Sequence, residues 1–178
     1  MEKLARRENP QTVIGVFEER FTPLSELAPG TLVALEAPRD PGNVGTIIRT
    51  CDALGASGVV LLGNFAAPFG SDAVRATMGS LFHMPICHTD LTSLQSHAAG
   101  IGAPIIGTHL SAKTDLRTFA VSEPQILLMG TEQSGLSDAA AAAATQLVKI
   151  PMGGSADSLN LAVATAIALY QLRSQHLS

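Results

Sequence analysis

Two polar, glycine-containing segments of the chain carry residue types that could bind a ligand and act on it. Residues 40–49 include Asn43 and Arg49, and a guanidinium can bind a phosphate bidentately or stabilise a developing oxyanion. Residues 130–136 place Glu132 two positions after a glycine. A carboxylate at such a turn can orient neighbouring donors. Because Arg49 lies about one and a half helical turns beyond Asn43, the two side chains need not share a helix face.

A third segment, residues 150–160, combines a glycine pair with Ser158 and Asn160. Exposed backbone amides in such a loop can hold the edge of an adenine or a carboxylate. The glycines do not form the Gly-x-Gly-x-x-Gly pattern of dinucleotide-binding loops. Simpler interpretations stay open at this point, because Arg49 could lie on a solvated helix face. Glu132 could favour a helix start, and Ser158 and Asn160 could be helix caps.

Continuous apolar runs separated by helical segments predict the elements that position these residues. Runs that do not alternate with polar residues are typical of strands buried on both faces, so we predict an α/β fold. Its sheet is mostly parallel, with helices on both faces. Because all three segments follow strands, they should meet at the carboxyl edge of the sheet. We predict strands at 31–35, 59–62, 84–87, 104–107, 125–129 and 147–150, a β-like run at 12–17, and helices at 44–54, 72–78, 91–99, 136–145 and 158–172.

Composition excludes several classes of protein. The 178 residues fit one domain, and 46% hydrophobic with 15% charged residues can bury a core. A net charge of −4 argues against binding nucleic acid by charge alone.

Cys51 and Cys87 fit no metal spacing, and the histidines form no zinc pattern, so no metal is expected. His109 follows a strand and could face the site, although we expect a surface histidine. With no signal-like or membrane-length apolar run, we expect a cytoplasmic protein.

Together the three segments resemble the motifs of the SpoU (TrmH-like) methyltransferases of the SPOUT class, over about residues 31–173. The family patterns are Asn-x-Gly-x-x-x-Arg, Gly-x-Glu-x-x-Gly-Leu, and Ile-Pro-Met followed by Ser-Leu-Asn. Residues 74–80 are similar to a further Arg-Ala-Ser-x-Gly-Ala segment, with Thr77 and Ser80 replacing its Ser and final Ala. The matching residues of the three motifs are Asn43, Gly45 and Arg49; Gly130, Glu132, Gly135 and Leu136; and Ile150, Pro151, Met152, Ser158, Leu159 and Asn160.

The resemblance implies transfer of a methyl group from S-adenosylmethionine to a ribose 2′-hydroxyl of ribosomal or transfer RNA. The catalytic set would be Arg49, Asn43, Glu132, Ser158 and Asn160. A guanidinium is a poor base because it keeps its proton at neutral pH, so we expect Arg49 to bind phosphate and stabilise the oxyanion. Substrate contacts would come from Asn43, Arg49 and Arg75. The implied cofactor-binding residues are Thr108, Met129, Gly130, Glu132, Ile150, Pro151, Met152, Ser158 and Leu159.

The resemblance also implies a deep trefoil knot, in which the final helix is threaded through a loop. General topology rules would not predict this knot. It further implies a homodimer formed through the knot region, with RNA as the other partner. Residues 1–30 resemble a linker that follows an RNA-binding domain in relatives, and residues 31–178 would form the methyltransferase domain. That upstream domain lies outside these 178 residues, and we expect a truncated chain rather than a naturally short protein.

Two other functions are consistent with parts of this pattern. The first is a catalytically silent RNA-binding or regulatory member of the same fold. The complete catalytic set argues against a loss of catalytic activity, since the chain retains Asn43, Arg49, Glu132, Ser158 and Asn160. A nucleotide-binding oxidoreductase would need a glycine-rich fingerprint after the first strand and an acidic ribose partner, and neither is evident. Binding of S-adenosylmethionine and the path of the final helix distinguish these alternatives.

Overall fold

The computed structural model describes residues 15–120 and 122–175, and within them seven strands and five α-helices form one α/β unit. Short 3₁₀ turns lie at Leu24–Glu26, Ser80–Phe82 and Leu116–Thr118. The strands are β1 (Thr31–Glu36), β2 (Gly58–Leu62), β3 (Ile86–Thr89), β4 (Ile105–Thr108), β5 (Thr114–Asp115), β6 (Gln125–Met129) and β7 (Gln146–Lys149). The helices are α1 (Pro41–Ala53), α2 (Ser71–Thr77), α3 (Leu91–Gly100), α4 (Asp138–Ala143) and α5 (Leu161–Arg173).

All the paired strands run parallel, in the order β3-β2-β1-β6-β4-β7-β5. Alternate residues of β1 enter two separate cores, as the pleat of a strand requires. Val33 and Leu35 join a cluster with α1 and α5, whereas Leu32 and Ala34 join a cluster with α3 and α4. The predicted mostly parallel sheet with helices on both faces is therefore confirmed. The strand sequences are continuously apolar because helices cover both faces of the sheet.

Two helices begin at positions set by capping side chains rather than at the predicted residues. Helix α1 begins at Pro41, not at Val44, because the Asp40 carboxylate accepts the Asn43 N–H at 2.7 Å. Proline at the first helical position costs no hydrogen bond. Helix α5 begins at Leu161 rather than at Ser158, because the Asn160 Oδ1 accepts the first free N–H groups of the helix. Asn160, and not Ser158, is the cap.

Other predicted boundaries shift by one to three residues. Strand β3 starts two residues later than predicted, and α4 covers only the centre of the predicted alanine-rich helix. Strand β5 was not predicted, since two polar residues carry no apolar run. The predicted run at 12–17 lies partly outside the described residues, and residues 15–17 form no strand.

A buried polar network fastens the end of α5 to the amino edge of the sheet. The Arg173 guanidinium pairs with the Glu123 carboxylate and donates from Nε to the Leu54 carbonyl at 2.5 Å. The Thr31 hydroxyl donates to the same Glu123 carboxylate at 2.7 Å and accepts from the Gln125 amide at 3.0 Å. The C-terminal end of α5 is thus held at the edge of the sheet opposite to the three polar segments, whereas its first turn lies beside them.

No helix within the described residues is both long and apolar enough to cross a membrane. In those same residues, no group of three or more His, Cys, Asp or Glu side chains is arranged to hold a metal ion.

Candidate functional site

The polar segments that follow β1 and β6 meet at the carboxyl edge of the sheet. The Glu132 carboxylate, in the turn after β6, accepts the backbone N–H groups of Arg39 and Asp40, each at 3.3 Å. It also accepts the side-chain amide of Asn43 at 3.2 Å. These residues are about ninety positions apart in sequence, and the adjacent parallel strands β1 and β6 bring them together.

A closed turn fixes the position of Glu132. Thr131 and Gly135 pair with each other through both backbone hydrogen bonds, at 2.9 and 3.1 Å, and the hydroxyls of Thr131 and Ser134 lie 2.8 Å apart. Gly135 has a φ of +69°, which favours glycine. A Cβ on Gly130 would lie 2.0 Å from the Gly135 carbonyl carbon. Both glycines are therefore required for the turn to close.

A relay of oriented amides connects Glu132 to the start of α5. The Asn160 Oδ1 accepts the N–H groups of Ala162 and Val163, so its Nδ2 must face the other way. That Nδ2 donates to the Asn43 Oδ1 at 3.0 Å, which leaves the Asn43 Nδ2 to donate to Glu132. The helix end thus fixes which side of each amide is donor and which is acceptor. The three predicted residues Asn43, Glu132 and Asn160 form one connected unit.

The surroundings of Glu132 keep its carboxylate charged. Partial burial alone would raise the pKa of Glu132, but hydrogen bonds from its own backbone N–H, from the Asn43 amide and from the Arg39 and Asp40 backbone outweigh it. The pKa of Glu132 is therefore lower than that of an ordinary glutamate. A carboxylate that already accepts several donors is a weak proton acceptor, so its arrangement suits positioning better than base catalysis.

A cavity of about 300 Å³ lies beside this unit, at the ends of β4, β6 and β7. This cavity, hereafter the strand-end cavity, has an apolar wall and a polar rim, as small-molecule sites commonly do. Among the described residues that line it, Glu132 is the one with a formal charge. The lining comprises Thr108, His109, Leu110, Met129, Gly130, Thr131, Glu132, Gln133, Ser134, Gly135, Ile150, Met152, Ser158, Leu159, Leu161 and Ala164.

The loop between β7 and α5 offers unpaired main-chain groups to the strand-end cavity. Within the described ranges, no N–H of residues 151–159 donates to another protein group. Met152, Ser158 and Leu159 of this loop line the cavity. Backbone donors and acceptors left free beside an apolar wall can bind the polar edge of a flat heterocycle.

A second and larger cavity, of about 860 Å³, lies between α1 and α5 and is hereafter the α1–α5 groove. Arg49 lines this groove, and so do Pro151 and Tyr170. Ile150 lines both the groove and the strand-end cavity, so the two are separated by the residues just after β7. The guanidinium that the sequence singled out therefore lies outside the strand-end cavity within one chain.

The structure brings together most of the predicted site residues but not all of them. The predicted cofactor residues line the strand-end cavity, apart from Pro151, which lines the groove. Arg75 lies on α2, forms an ion pair with Asp72 at 3.3 Å, and lines neither cavity. His109 is half-buried and lines the strand-end cavity, which agrees with the alternative that it faces the site. Its position directly after β4 was the signal available in the sequence.

The chain is similar in sequence to proteins that are named as RNA methyltransferases. The model of the SpoU rRNA Methylase family matches residues 30–170. A 23S rRNA (uridine(2479)-2′-O)-methyltransferase of Streptomyces viridochromogenes is 36% identical, covering 100% of this chain and 65% of the relative. A 23S rRNA (guanosine(2553)-2′-O)-methyltransferase of Bacillus subtilis is 38% identical, covering 93% and 66%.

A solved structure is similar to this chain in both sequence and fold. The AdoMet-bound rRNA methyltransferase from Sinorhizobium meliloti superposes with a TM-score of 0.95 at 47% identity, covering 99% of this chain and 69% of that chain. The chain thus spans about two thirds of the length of the relatives it matches.

Proposed function

Because the chain belongs to the SpoU rRNA methylase family, we propose that it transfers a methyl group from S-adenosylmethionine to a ribose 2′-hydroxyl of ribosomal RNA. One observation carries the proposal. Residues from all three motifs, 90 or more positions apart in places, converge on the strand-end cavity and on the Glu132–Asn43–Asn160 relay beside it. The two relatives are named for different nucleosides, uridine and guanosine, so their names do not indicate which nucleoside this chain would modify.

The strand-end cavity fits the cofactor in polarity and charge. Its apolar wall, which includes Met129, Ile150 and Leu159, suits an adenine, and the unpaired backbone groups after β7 suit the polar edge of that base. S-adenosylmethionine carries a sulfonium, which supplies an already activated methyl group. A lining whose one formal charge is negative attracts such a cation, whereas a lysine or arginine would repel it.

In this proposal the chain's residues align the acceptor oxygen and stabilise its developing charge. Arg49 binds the phosphate next to the target ribose and stabilises the oxyanion, since guanidinium geometry favours both contacts. Asn43 and Asn160 orient the substrate and Arg49, and Glu132 holds the loops that carry them. Alignment of this kind contributes several kcal/mol by raising the effective concentration of the reacting groups.

The proposal includes a homodimer formed through the α1–α5 groove. On α5, Val163, Ile167 and Tyr170 are 48%, 42% and 58% exposed and follow helical spacing, which forms an apolar stripe open to solvent. Arg49 lies in the same groove. We place its action across this interface, on the cofactor bound by the partner protomer.

The same proposal includes the knot, the domain bounds and the cellular compartment. Threading of α5 through a loop, which makes the trefoil knot, agrees with the sheet order, in which β6 lies between β1 and β4. Residues 1–30 would act as a linker, residues 31–178 would form the catalytic domain, and the protein would act in the cytoplasm, where ribosomal RNA is found.

The experiment that tests this function measures methyl transfer from labelled cofactor to ribosomal RNA, followed by nucleoside analysis for 2′-O-methylation. Arg49→Ala should lower transfer by about 100-fold or more while cofactor affinity stays within about twofold. Arg20→Ala, which removes an exposed arginine outside both cavities, is the matched control and should retain activity. Normal transfer by Arg49→Ala would contradict the role assignment. Cofactor binding without transfer by the native chain would instead favour a silent binding protein.

Mixed dimers test the assignment across the interface. A protomer carrying Arg49→Ala keeps its strand-end cavity, and a protomer carrying Gly130→Ala keeps its arginine. If Arg49 acts on the partner's cofactor, mixing the two inactive variants should restore one active site per mixed dimer. If no activity returns although mixed dimers form, Arg49 acts within its own protomer.

A further inference from the structure

His109 is held at the strand-end cavity by its backbone. It is the first residue after β4, and its N–H donates to the Val148 carbonyl at 2.9 Å, which continues the pairing of β4 with β7. The residue is half-buried and belongs to the cavity lining. The residue is therefore held at the cavity by the sheet rather than by a free loop.

A turn fixes the hydrogen-bonding state of the imidazole. The Ser111 N–H donates to Nδ1 of His109 at 3.2 Å, and the Ser111 hydroxyl lies 2.8 Å from the same nitrogen. A backbone N–H can only donate, so Nδ1 must be the unprotonated nitrogen of the ring. The neutral imidazole then carries its proton on Nε2. Among the described residues, no protein group accepts a hydrogen bond from that Nε2–H.

Several other polar side chains of the strand-end cavity already have partners inside the protein. Glu132 accepts three donors from the segment after β1, and Thr131 and Ser134 pair with each other. The Thr108 hydroxyl donates to the Met129 sulfur at 3.4 Å. The Nε2–H of His109 differs from these groups, because the turn orients the ring and leaves this donor free for an acceptor on a ligand.

We propose that His109 is a direct cofactor-binding residue, whose Nε2–H donates to an oxygen of S-adenosylmethionine. The inference rests on the proposed function and adds a residue that no motif of the sequence indicated. The acceptor is either a carboxylate oxygen of the amino-acid part or a ribose hydroxyl. A neutral donor is chemically suited to this role, because it binds an oxygen without placing a second positive charge near the sulfonium.

Calorimetry with S-adenosylhomocysteine tests the inference, since this product analogue carries both candidate oxygens and needs no RNA. His109→Ala should weaken binding by about tenfold, the usual effect of losing a hydrogen bond to a charged or well-placed acceptor. His109→Gln keeps an N–H donor and should stay within about threefold of the native affinity. His83→Ala, which removes an exposed histidine outside the cavity, is the matched control and should bind normally.

Two further measurements complete the test. Methylthioadenosine lacks the amino-acid part, so an effect of His109→Ala that persists with it assigns the ribose, and one that disappears assigns the carboxylate. Nitrogen NMR of the imidazole should show the Nε2–H form in the free protein and a shift of Nε2 on binding. Two results together would overturn the inference alone: native affinity in a folded His109→Ala variant, and no shift of Nε2 when the native protein binds the ligand. No binding by the native chain would overturn the proposed function as well.

Discussion

Substituting Asn43 by aspartate should replace the hydrogen bond between Asn43 and Glu132 by a repulsion between two carboxylates, with little change in side-chain shape. The Asn43 Nδ2 donates to a Glu132 oxygen at 3.2 Å. Asn43→Asp places a second carboxylate at that distance from Glu132. Two like charges at this separation repel by about 1 kcal/mol in bulk water and about 5 kcal/mol at an effective dielectric constant near 20. Since the pair is partly exposed, we expect about 2 kcal/mol of repulsion in addition to one lost hydrogen bond.

Asn43→Ala is the matched control, because it removes both side-chain hydrogen bonds without adding charge. It should cost about 1–2 kcal/mol in the free energy of unfolding. Asn43→Asp keeps the hydrogen bond from Asn160 and should cost about 3 kcal/mol in total, or about 1–2 kcal/mol more than Asn43→Ala, at pH 7. The repulsion raises the pKa of the carboxyl pair in the folded state, so the excess cost is absent at low pH. It should appear as pH rises from about 4 towards 7.

The assay is urea denaturation of both variants from pH 4 to pH 8, with methyl transfer measured at pH 7. If Asn43→Asp were no less stable than Asn43→Ala at pH 7, or if their difference did not change with pH, the two side chains would not lie in contact. Strong transfer by Asn43→Asp would also contradict the positioning role of the relay.

Three further predictions follow from single contacts. Gly130→Ala should abolish cofactor binding in calorimetry while circular dichroism stays native, because its Cβ would lie 2.0 Å from the Gly135 carbonyl carbon and open the turn; unchanged affinity would refute the closed turn. Arg173→Met should lower the free energy of unfolding by about 3 kcal/mol, since Glu123 would lose its buried partner; a loss below about 1 kcal/mol in urea titration would contradict this. Hydrogen bonds lower the pKa of Glu132, so its contribution to stability is present above the ordinary glutamate pKa of about 4.3 and is lost as pH falls below it. Glu132→Gln should flatten the stability profile in that acidic range, and an unchanged profile would show that the carboxylate is not held as described.

The sheet could be predicted from sequence because its strands are continuous apolar runs. The predicted bounds of β6 match the observed strand, Gln125–Met129, and the predicted β1 is one residue short. The predicted convergence of polar segments followed from parallel strand order alone. Strand β5 was missed because Thr114 and Asp115 pair with β7 without any apolar side chain to mark them.

The details of the site depended on tertiary contacts that no local pattern encodes. Both Ser158 and Asn160 are good caps, and the choice of Asn160 is coupled to its bond with Asn43, 117 residues away. Asp40 caps α1, and the proline at position 41 was the local signal for that helix start. Arg49 is exposed, as one of its two interpretations held, but its place in the α1–α5 groove required the packing of α5.

The location of the bound cofactor tests the central claim most directly. A crystal structure of the chain with S-adenosylhomocysteine should show the adenine between the residues that follow β6 and β7. The ligand should contact backbone groups at Met152 and Leu159. Density for the ligand in the α1–α5 groove instead, or no density at saturating concentration, would contradict the account.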